Sequence, residues 1–298
     1  MKIGIIGLDT SHVSAFTKFL NGAEGEKVTS EARVMVAFPG GSPDMAASRD
    51  RVEGFTSELR DTYGVSMVDS PEAVAEASDA ILLCSVDGRV HRDQFFRIAG
   101  AGKPIFIDKP FASSVSDAEA MADLAARSGT RAFCSSALRF STALTDVLNP
   151  EGPGTATGAD FCGPMAIEPT SPGFFWYGVH TVEMLFASLG TGCQSVVASS
   201  TDDHDCLIGV WGDGRLGTIR GNRTGDNGFH GLVHFAAHTA HIDIATASRP
   251  FFSSLLEEVM NFFNGGESPV PLETSVEMVR FMEAGNRSRE SGEVVSLR

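Results

Sequence analysis

Two stretches of this 298-residue chain hold side chains whose types and spacing could do chemistry. The first is Gly4-Ile5-Ile6-Gly7-Leu8-Asp9-Thr10-Ser11-His12, an apolar run that ends in a glycine turn. Such a turn, between a buried strand and a helix, is where a dinucleotide fold cradles phosphates. The backbone must turn tightly, approach the pyrophosphate and present helix N–H groups to it. Gly7 matches the first glycine of G-x-G-x-x-G, while Asp9 stands at the second and His12 at the third. A carboxylate there opposes an anion unless its side chain turns away. The other reading of Gly7 and Asp9 is a βα turn with an aspartate helix cap. In such folds the second strand ends in an acid that holds the ribose hydroxyls. Here it ends Ala37-Phe38-Pro39-Gly40-Gly41, with no acid.

The second stretch carries His230, His234, His238 and His241, with His204 beside Asp205 further back. Histidines are common zinc ligands. However, a four-residue spacing brings side chains together only on a helix. These four lie in strand-like sequence, where such steps spread them along one face. No metal site is expected, and a substrate-facing or interface role on a sheet is the preferred reading.

The elements that must position these residues fall into two halves. Lys2–Ile6, Arg33–Phe38, Ala80–Ser85, Pro104–Asp108 and Arg131–Ser135 are short, apolar and not alternating, as parallel strands covered on both faces are. Helical stretches separate them, among them Val13–Leu20, Arg49–Tyr63, a Ser70-capped helix at Pro71, His91–Ala101 and Asp117–Ser128 with a Ser116/Glu119 box. Repeated βα units predict a doubly wound, Rossmann-type parallel sheet over residues 1–138. Residues 139–298 read as an α+β domain with an open, mainly antiparallel sheet. A Gly/Pro/Thr-rich stretch, Asn149–Gly158, comes first. It is followed by a helix at Gly178–Leu189, five strand-like runs between 195 and 245 separated by Gly/Asp turns, and two closing helices.

Composition narrows the partners. Asp and Glu number 38 against 23 Lys and Arg, a formal net charge of −15, which argues against nucleic-acid binding. No run approaches the ~20 apolar residues of a membrane-spanning helix. The 5 cysteines never form CxxC and read as reduced thiols in a cytoplasm.

Two further segments carry a resemblance. One is Ser85-Val86-Asp87-Gly88-Arg89-Val90-His91 followed by Gly102-Lys103-Pro104-Ile105-Phe106-Ile107-Asp108-Lys109-Pro110-Phe111-Ala112, and the other is Gly178-Val179-His180-Thr181-Val182-Glu183. The chain resembles the glucose-fructose oxidoreductase/inositol dehydrogenase/MocA family, with Asp108-Lys109-Pro110 at its E-K-P motif and the His180 segment at its D-x-G-x-H-x-x-D helix. Trp176 stands at that helix motif's first Asp and Glu183 at its last. The resemblance implies hydride transfer between NAD or NADP and a sugar, polyol or related hydroxy compound. It assigns Lys109 and His180 as catalytic residues and leaves the Asp role without a counterpart. A cofactor would contact Gly7, Leu8, Asp9, Thr10, Ser11, His12, Phe38, Ser85, Val86, Asp87, His91, Asp108 and Lys109. Substrate contacts are expected from Lys109, Arg139, Trp176, Tyr177 and His180. The second-domain sheet, with Phe229, Val233 and Phe235, is expected to form the interface of a homodimer or homotetramer. Two alternatives stay open. One is a cofactor-retaining non-redox enzyme of lyase or epimerase type. The other is a non-catalytic ligand-binding protein on the same scaffold.

Overall fold

The computed structural model describes residues 1–22, 29, 31–149 and 154–297, so residues 150–153 of the Gly/Pro/Thr-rich stretch lie outside the described residues. The chain divides into two compact units. One comprises Met1–Ala112, Ser116–Ser135 and Leu255–Leu272; the other comprises Ser113–Val115, Ser136–Ser254 and Glu273–Arg298.

The first unit is built on six strands: β1 (Lys2–Ile6), β2 (Arg33–Phe38), β3 (Ser66–Met67), β4 (Ala80–Leu83), β5 (Ile105–Asp108) and β6 (Ala132–Ser135). Their order is β3-β2-β1-β4-β5-β6 and every pairing is parallel. The strand order reverses between β1 and β4. Open α/β sheets bind ligands at such a switch point, outside the carboxyl ends of the strands. The central strands are apolar on both faces because helices cover both sides. β4, β5 and β6 are buried at every position.

Helix α1 (Ser11–Asn21) starts on Thr10, whose hydroxyl accepts from the His12 amide at 3.4 Å. Helices α2 (Val52–Tyr63), α3 (Pro71–Ala77), α4 (His91–Ile98) and α5 (Val115–Ser128) complete the crossovers. Ser70 caps α3 through the Ala73 amide, and Gly64 stops α2 in the left-handed region at φ 69°. Ser116 is not a cap, because α5 begins one residue before it.

The segment Leu255–Leu272 belongs to this first unit, although a division at 138/139 placed it in the second. Packing explains the difference. Phe262 meets Phe133 edge-on at 5.0 Å, extending the row Phe16–Phe106–Phe133 through the core. Arg131 stacks over the Phe262 ring and donates to the Phe262 carbonyl at 2.9 Å.

The second unit holds β7 (Gly158–Pro164), helix α6 (Gly178–Leu189), β8 (Cys193–Ser200), β9 (His204–Trp211), β10 (Leu216–Asn222), β11 (His230–His234), β12 (Thr239–Asp243) and β13 (Val295–Ser296). The sheet order is β12-β11-β7-β10-β9-β8-β13. All its pairings are antiparallel except β7 with β10. One face of the sheet is cored by Phe186, Trp211 and Phe281. Gly217 is required there, since a Cβ would lie 2.7 Å from Leu185 of α6. Two more helices, α7 (Phe251–Phe263) and α8 (Leu272–Ser291), close the chain.

Candidate functional site

At the switch point, Gly7 turns the chain at φ 86° and comes so near β4 that a Cβ would lie 2.4 Å from the Ser85 nitrogen. The Gly7 and Leu8 amides donate to the Phe38 and Pro39 carbonyls at 2.9 and 2.8 Å, binding the turn to the end of β2. Asp9 turns away from the mouth of this turn and is fully buried. Its Oδ1 accepts from the Val86 amide at 2.8 Å and its Oδ2 from the Ser48 hydroxyl at 2.6 Å. Burial pushes the Asp9 carboxyl above its usual range, against the lowering effect of those hydrogen bonds. Asp9 is therefore neither an anion facing a phosphate nor the helix cap, a role Thr10 fills.

Ser48 extends this web. Its hydroxyl accepts from the Ser42 amide at 2.7 Å, so the segment after β2 is tied down onto the β1 turn. Arg89 adds a second tie, gripping Asp44 through both terminal nitrogens at 2.8 and 2.9 Å and Asp87 at 2.7 Å. Burial raises the Asp87 carboxyl, yet the Arg89 and Ser42 contacts hold it below the usual carboxylate range.

Leu8, Ser85, Asp87 and His91 are likewise buried. The Ser85 hydroxyl donates to Gln94 at 2.8 Å, and the two His91 nitrogens face the Ser85 and Pro110 carbonyls at 2.7 and 2.8 Å. These expected cofactor contacts shape the turn from beneath, whereas Ser11 is exposed and His12 and Phe38 are half-buried.

Asp108 and Lys109 lie at the carboxyl end of β5, both buried. His12 Nδ1 is 2.5 Å from Asp108 Oδ2, and the Lys109 amide donates to Asp108 Oδ1 at 2.9 Å. Burial alone would raise the Asp108 carboxyl, but His12 and Lys109 together hold it below the usual carboxylate range. A depressed carboxyl stabilises the fold above its unfolded pKa of 3.8 and loses that contribution as pH falls through the folded value. Asp108→Asn is thus expected to melt below the wild type at neutral pH, with the gap closing in melts run below about pH 4. A gap independent of pH would show that the carboxylate charge does not stabilise the fold.

In the second unit, α6 presents His180. Its Nδ1 lies 2.7 Å from the Ser136 hydroxyl, and the Ser136 amide donates to Glu183 Oε1 at 3.1 Å. Arg139 Nε donates to Glu183 Oε2 at 2.7 Å, while Arg139 Nη2 is buried without a hydrogen-bond partner. Buried Glu183 is therefore a structural anchor one turn along from His180. Trp176, Tyr177, His180 and Phe229 form a row of edge-to-face rings with centroids 5.6–6.0 Å apart. Tyr177 is 37% exposed, so this aromatic row reaches the surface.

Of the second-unit histidines in this stretch, His230 and His234 pair with carboxylates. His230 lies between Asp226 and Asp243, at 3.0 and 3.4 Å. His234 contacts Asp160 at 2.6 Å and Thr239 at 3.0 Å. His238 leaves the strand and stacks on Phe235, and His241 lies on β12 opposite Leu232. Among the described residues no three His, Cys, Asp or Glu side chains are grouped to hold a metal. The interface residues need correction: Val233 and Phe235 point into the core, because β11 alternates and its outward residue is Leu232. Leu232, Ile208, Val210 and Leu216 are the exposed apolar side chains of this sheet.

Ser136, Ser48 and the Asp44–Arg89 pair carry no motif and were not expected. Their partners lie 44, 39 and 45 residues away, so only the folded chain brings them together.

Residues 1–136 match the oxidoreductase family with the NAD-binding Rossmann fold, the glucose-fructose oxidoreductase/inositol dehydrogenase/MocA group. The matched residues include all six parallel strands of the first unit. An inositol 2-dehydrogenase of Cereibacter sphaeroides (strain ATCC 17029) is 31% identical over 134 residues, covering 44% of this chain and 34% of the relative. The match thus spans about a third of that relative's length. A putative myo-inositol dehydrogenase of Sinorhizobium meliloti superposes with a TM-score of 0.81 at 17% identity, covering 100% of both chains. The scyllo-inositol dehydrogenase of Lactobacillus casei, solved with NAD(H) and scyllo-inositol, superposes at 0.80 with 14% identity, covering 100% of this chain and 99% of that one. These two likenesses show the fold.

The phosphate side of the turn fits a dinucleotide. Gly7 supplies the tight approach, α1 offers its N-terminal turn, and the Asp9 charge is withdrawn. No acid stands at the end of β2 for the ribose, and nearby Asp44 is engaged by Arg89.

Proposed function

We propose that the chain is an NAD(P)-dependent oxidoreductase that acts on a CH–OH group of a sugar, polyol or related hydroxy compound. The observation that carries this reading is Lys109, buried at the carboxyl end of β5 in an NAD-binding Rossmann unit, with its backbone seated on a buried carboxylate. Bound NAD or NADP supplies the hydride acceptor. Gly7 and the N-terminus of α1 (its cap Thr10, with Ser11 and His12) would hold its phosphates, and Phe38 would border its adenosine end. The Lys109 amine takes the hydroxyl proton as hydride departs. His180, oriented through Nδ1 by Ser136, is the proton partner. Arg139, its side chain 13% exposed beside Glu183, offers a donor to a substrate oxygen, and Trp176 and Tyr177 offer ring faces to a sugar's C–H surface. Titration with NAD+, NADH, NADP+ and NADPH, followed by turnover on sugars and polyols including myo- and scyllo-inositol, tests the reading. Failure of all four to bind would sink it.

The same reading makes the protein a cytoplasmic homodimer or homotetramer. Support comes from cysteines that form no disulfide among the described residues and from the exposed apolar side chains Leu232, Ile208, Val210 and Leu216, of a kind that soluble monomers tend to cover. Ile208→Arg is expected to shift light scattering from the oligomer toward the 31.5 kDa monomer without lowering Tm by more than a few degrees. A wild type that already scatters as a monomer removes the interface.

A further inference from the structure

The Asp108 carboxylate has one oxygen on the imidazole of α1's first turn and the other on the Lys109 amide. It is 2% exposed, so neither contact is exchanged freely with water. The His12 ring is held on a second side by Phe16 at 6.2 Å, and Phe16 packs edge-on against Phe106 of β5. The phosphate-binding turn and the seat of the lysine are thereby joined through one side-chain pair. His12 occupies the position of a motif glycine, and glycine has no side chain that could make this contact. A charge-assisted bond to a buried carboxylate is shorter and stronger than a neutral one, and it fixes orientation as well.

We infer that His12 and Asp108 act as one unit that positions Lys109, so that His12 sets the aim of the lysine without itself reacting. This rests on the proposed oxidoreductase reading for its catalytic consequence but not for its structural content. Loss of the imidazole removes the partner of the buried Asp108 Oδ2 and leaves only the Lys109 amide on Oδ1, so Asp108 must turn to satisfy the freed oxygen. The Lys109 backbone turns with it. Misplacement of a reacting group by about 1 Å costs on the order of 10²-fold in rate, with little effect on binding. His12→Asn keeps a nitrogen near the Nδ1 position and restores the contact.

The experiment compares wild type with His12→Ala, His12→Asn, Asp108→Asn and the double variant His12→Ala/Asp108→Asn, each well below its own Tm. The first measurement needs no cofactor: acylation of Lys109 by an amine-reactive ester relative to Lys2, read by mass spectrometry. The ratio is expected to change at least about threefold in His12→Ala and in Asp108→Asn and to return toward wild type in His12→Asn. The second measurement is kinetic. In His12→Ala, kcat falls about 10- to 100-fold while KM for the substrate stays within about threefold. The double variant is no worse than the poorer single, as expected of residues acting as a unit. An unchanged labelling ratio in His12→Ala overturns the inference, as do additive losses in the double variant. If wild type binds no dinucleotide, the oxidoreductase reading fails, and the labelling ratio still decides whether His12 seats Lys109.

Discussion

Lys109→Ala is expected to lower kcat by about 10²–10⁴-fold while leaving the Kd for the dinucleotide within about threefold. The split follows from where the residue stands. Lys109 directly follows β5 and is 7% exposed. The proposed phosphate contacts come instead from Gly7 and the first turn of α1, at the end of β1. Removing the amine takes away the proton acceptor but none of the backbone that holds phosphate. The fold itself should lose little, because the amide that binds Asp108 belongs to the main chain and survives the substitution. Isothermal titration with NAD+ and NADP+, combined with steady-state kinetics on the best polyol or sugar, separates the two effects. Retained turnover removes the lysine from the mechanism. Loss of binding together with turnover would mean that Lys109 holds the cofactor and does not act as a base.

The Rossmann unit was legible because a parallel strand covered on both faces has no solvent-facing position to blur the pattern. Ile3–Ile6, Ala80–Leu83 and Ile105–Asp108 are continuously buried runs bounded by glycine or polar turns. β7 was not legible. Its residues Gly158-Ala-Asp-Phe-Cys-Gly-Pro164 follow a Gly/Pro/Thr-rich stretch and include two glycines and a proline, which weaken any strand signal. Its strand character comes from lying between β10 and β11, a tertiary fact. The return of Leu255–Leu272 to the first unit was hidden for a related reason. An amphipathic pattern says that a helix needs a core, not which core receives it.

In the site, residue types could be placed but side-chain directions could not. Asp9 stands at a phosphate position by spacing, yet its effect depends on Ser48 and the Val86 amide, 39 and 77 residues away. His180 was singled out by a motif, whereas Ser136, which orients it, is one serine among many. Lys109 and His12 both stand at motif positions, but their connection through Asp108 needs β1 and β5 set in one sheet. Motifs locate the groups that react, and the groups that aim them are scattered along the chain.

Gly7→Ala carries the second large effect, this time on folding and on the phosphate turn together. A methyl group at this position would lie 2.3 Å from Ser85 Oγ and 2.4 and 2.5 Å from the Ser85 nitrogen and Cα. Two of those three atoms are backbone, so a rotamer change cannot relieve the overlap. The φ of 86° adds about 1–2 kcal/mol for any residue with a Cβ. Relief requires β1 and β4 to separate at their carboxyl ends, where the Cys84 amide donates to the Ile6 carbonyl at 2.7 Å. That motion also pulls on the Asp9–Val86 bond and on the Gly7–Phe38 bond. A total loss above about 3 kcal/mol is expected, or a Tm lower by about 10 °C. Dinucleotide affinity should fall with it, since the turn that approaches the phosphates is the part displaced. Gly40→Ala is the control. Gly40 is also a positive-φ glycine, at 63°, but a Cβ there would meet nothing nearer than 3.6 Å. It should show the conformational penalty without the collision. Equal losses in the two variants would mean that the close approach of Gly7 to Ser85 contributes nothing beyond backbone strain.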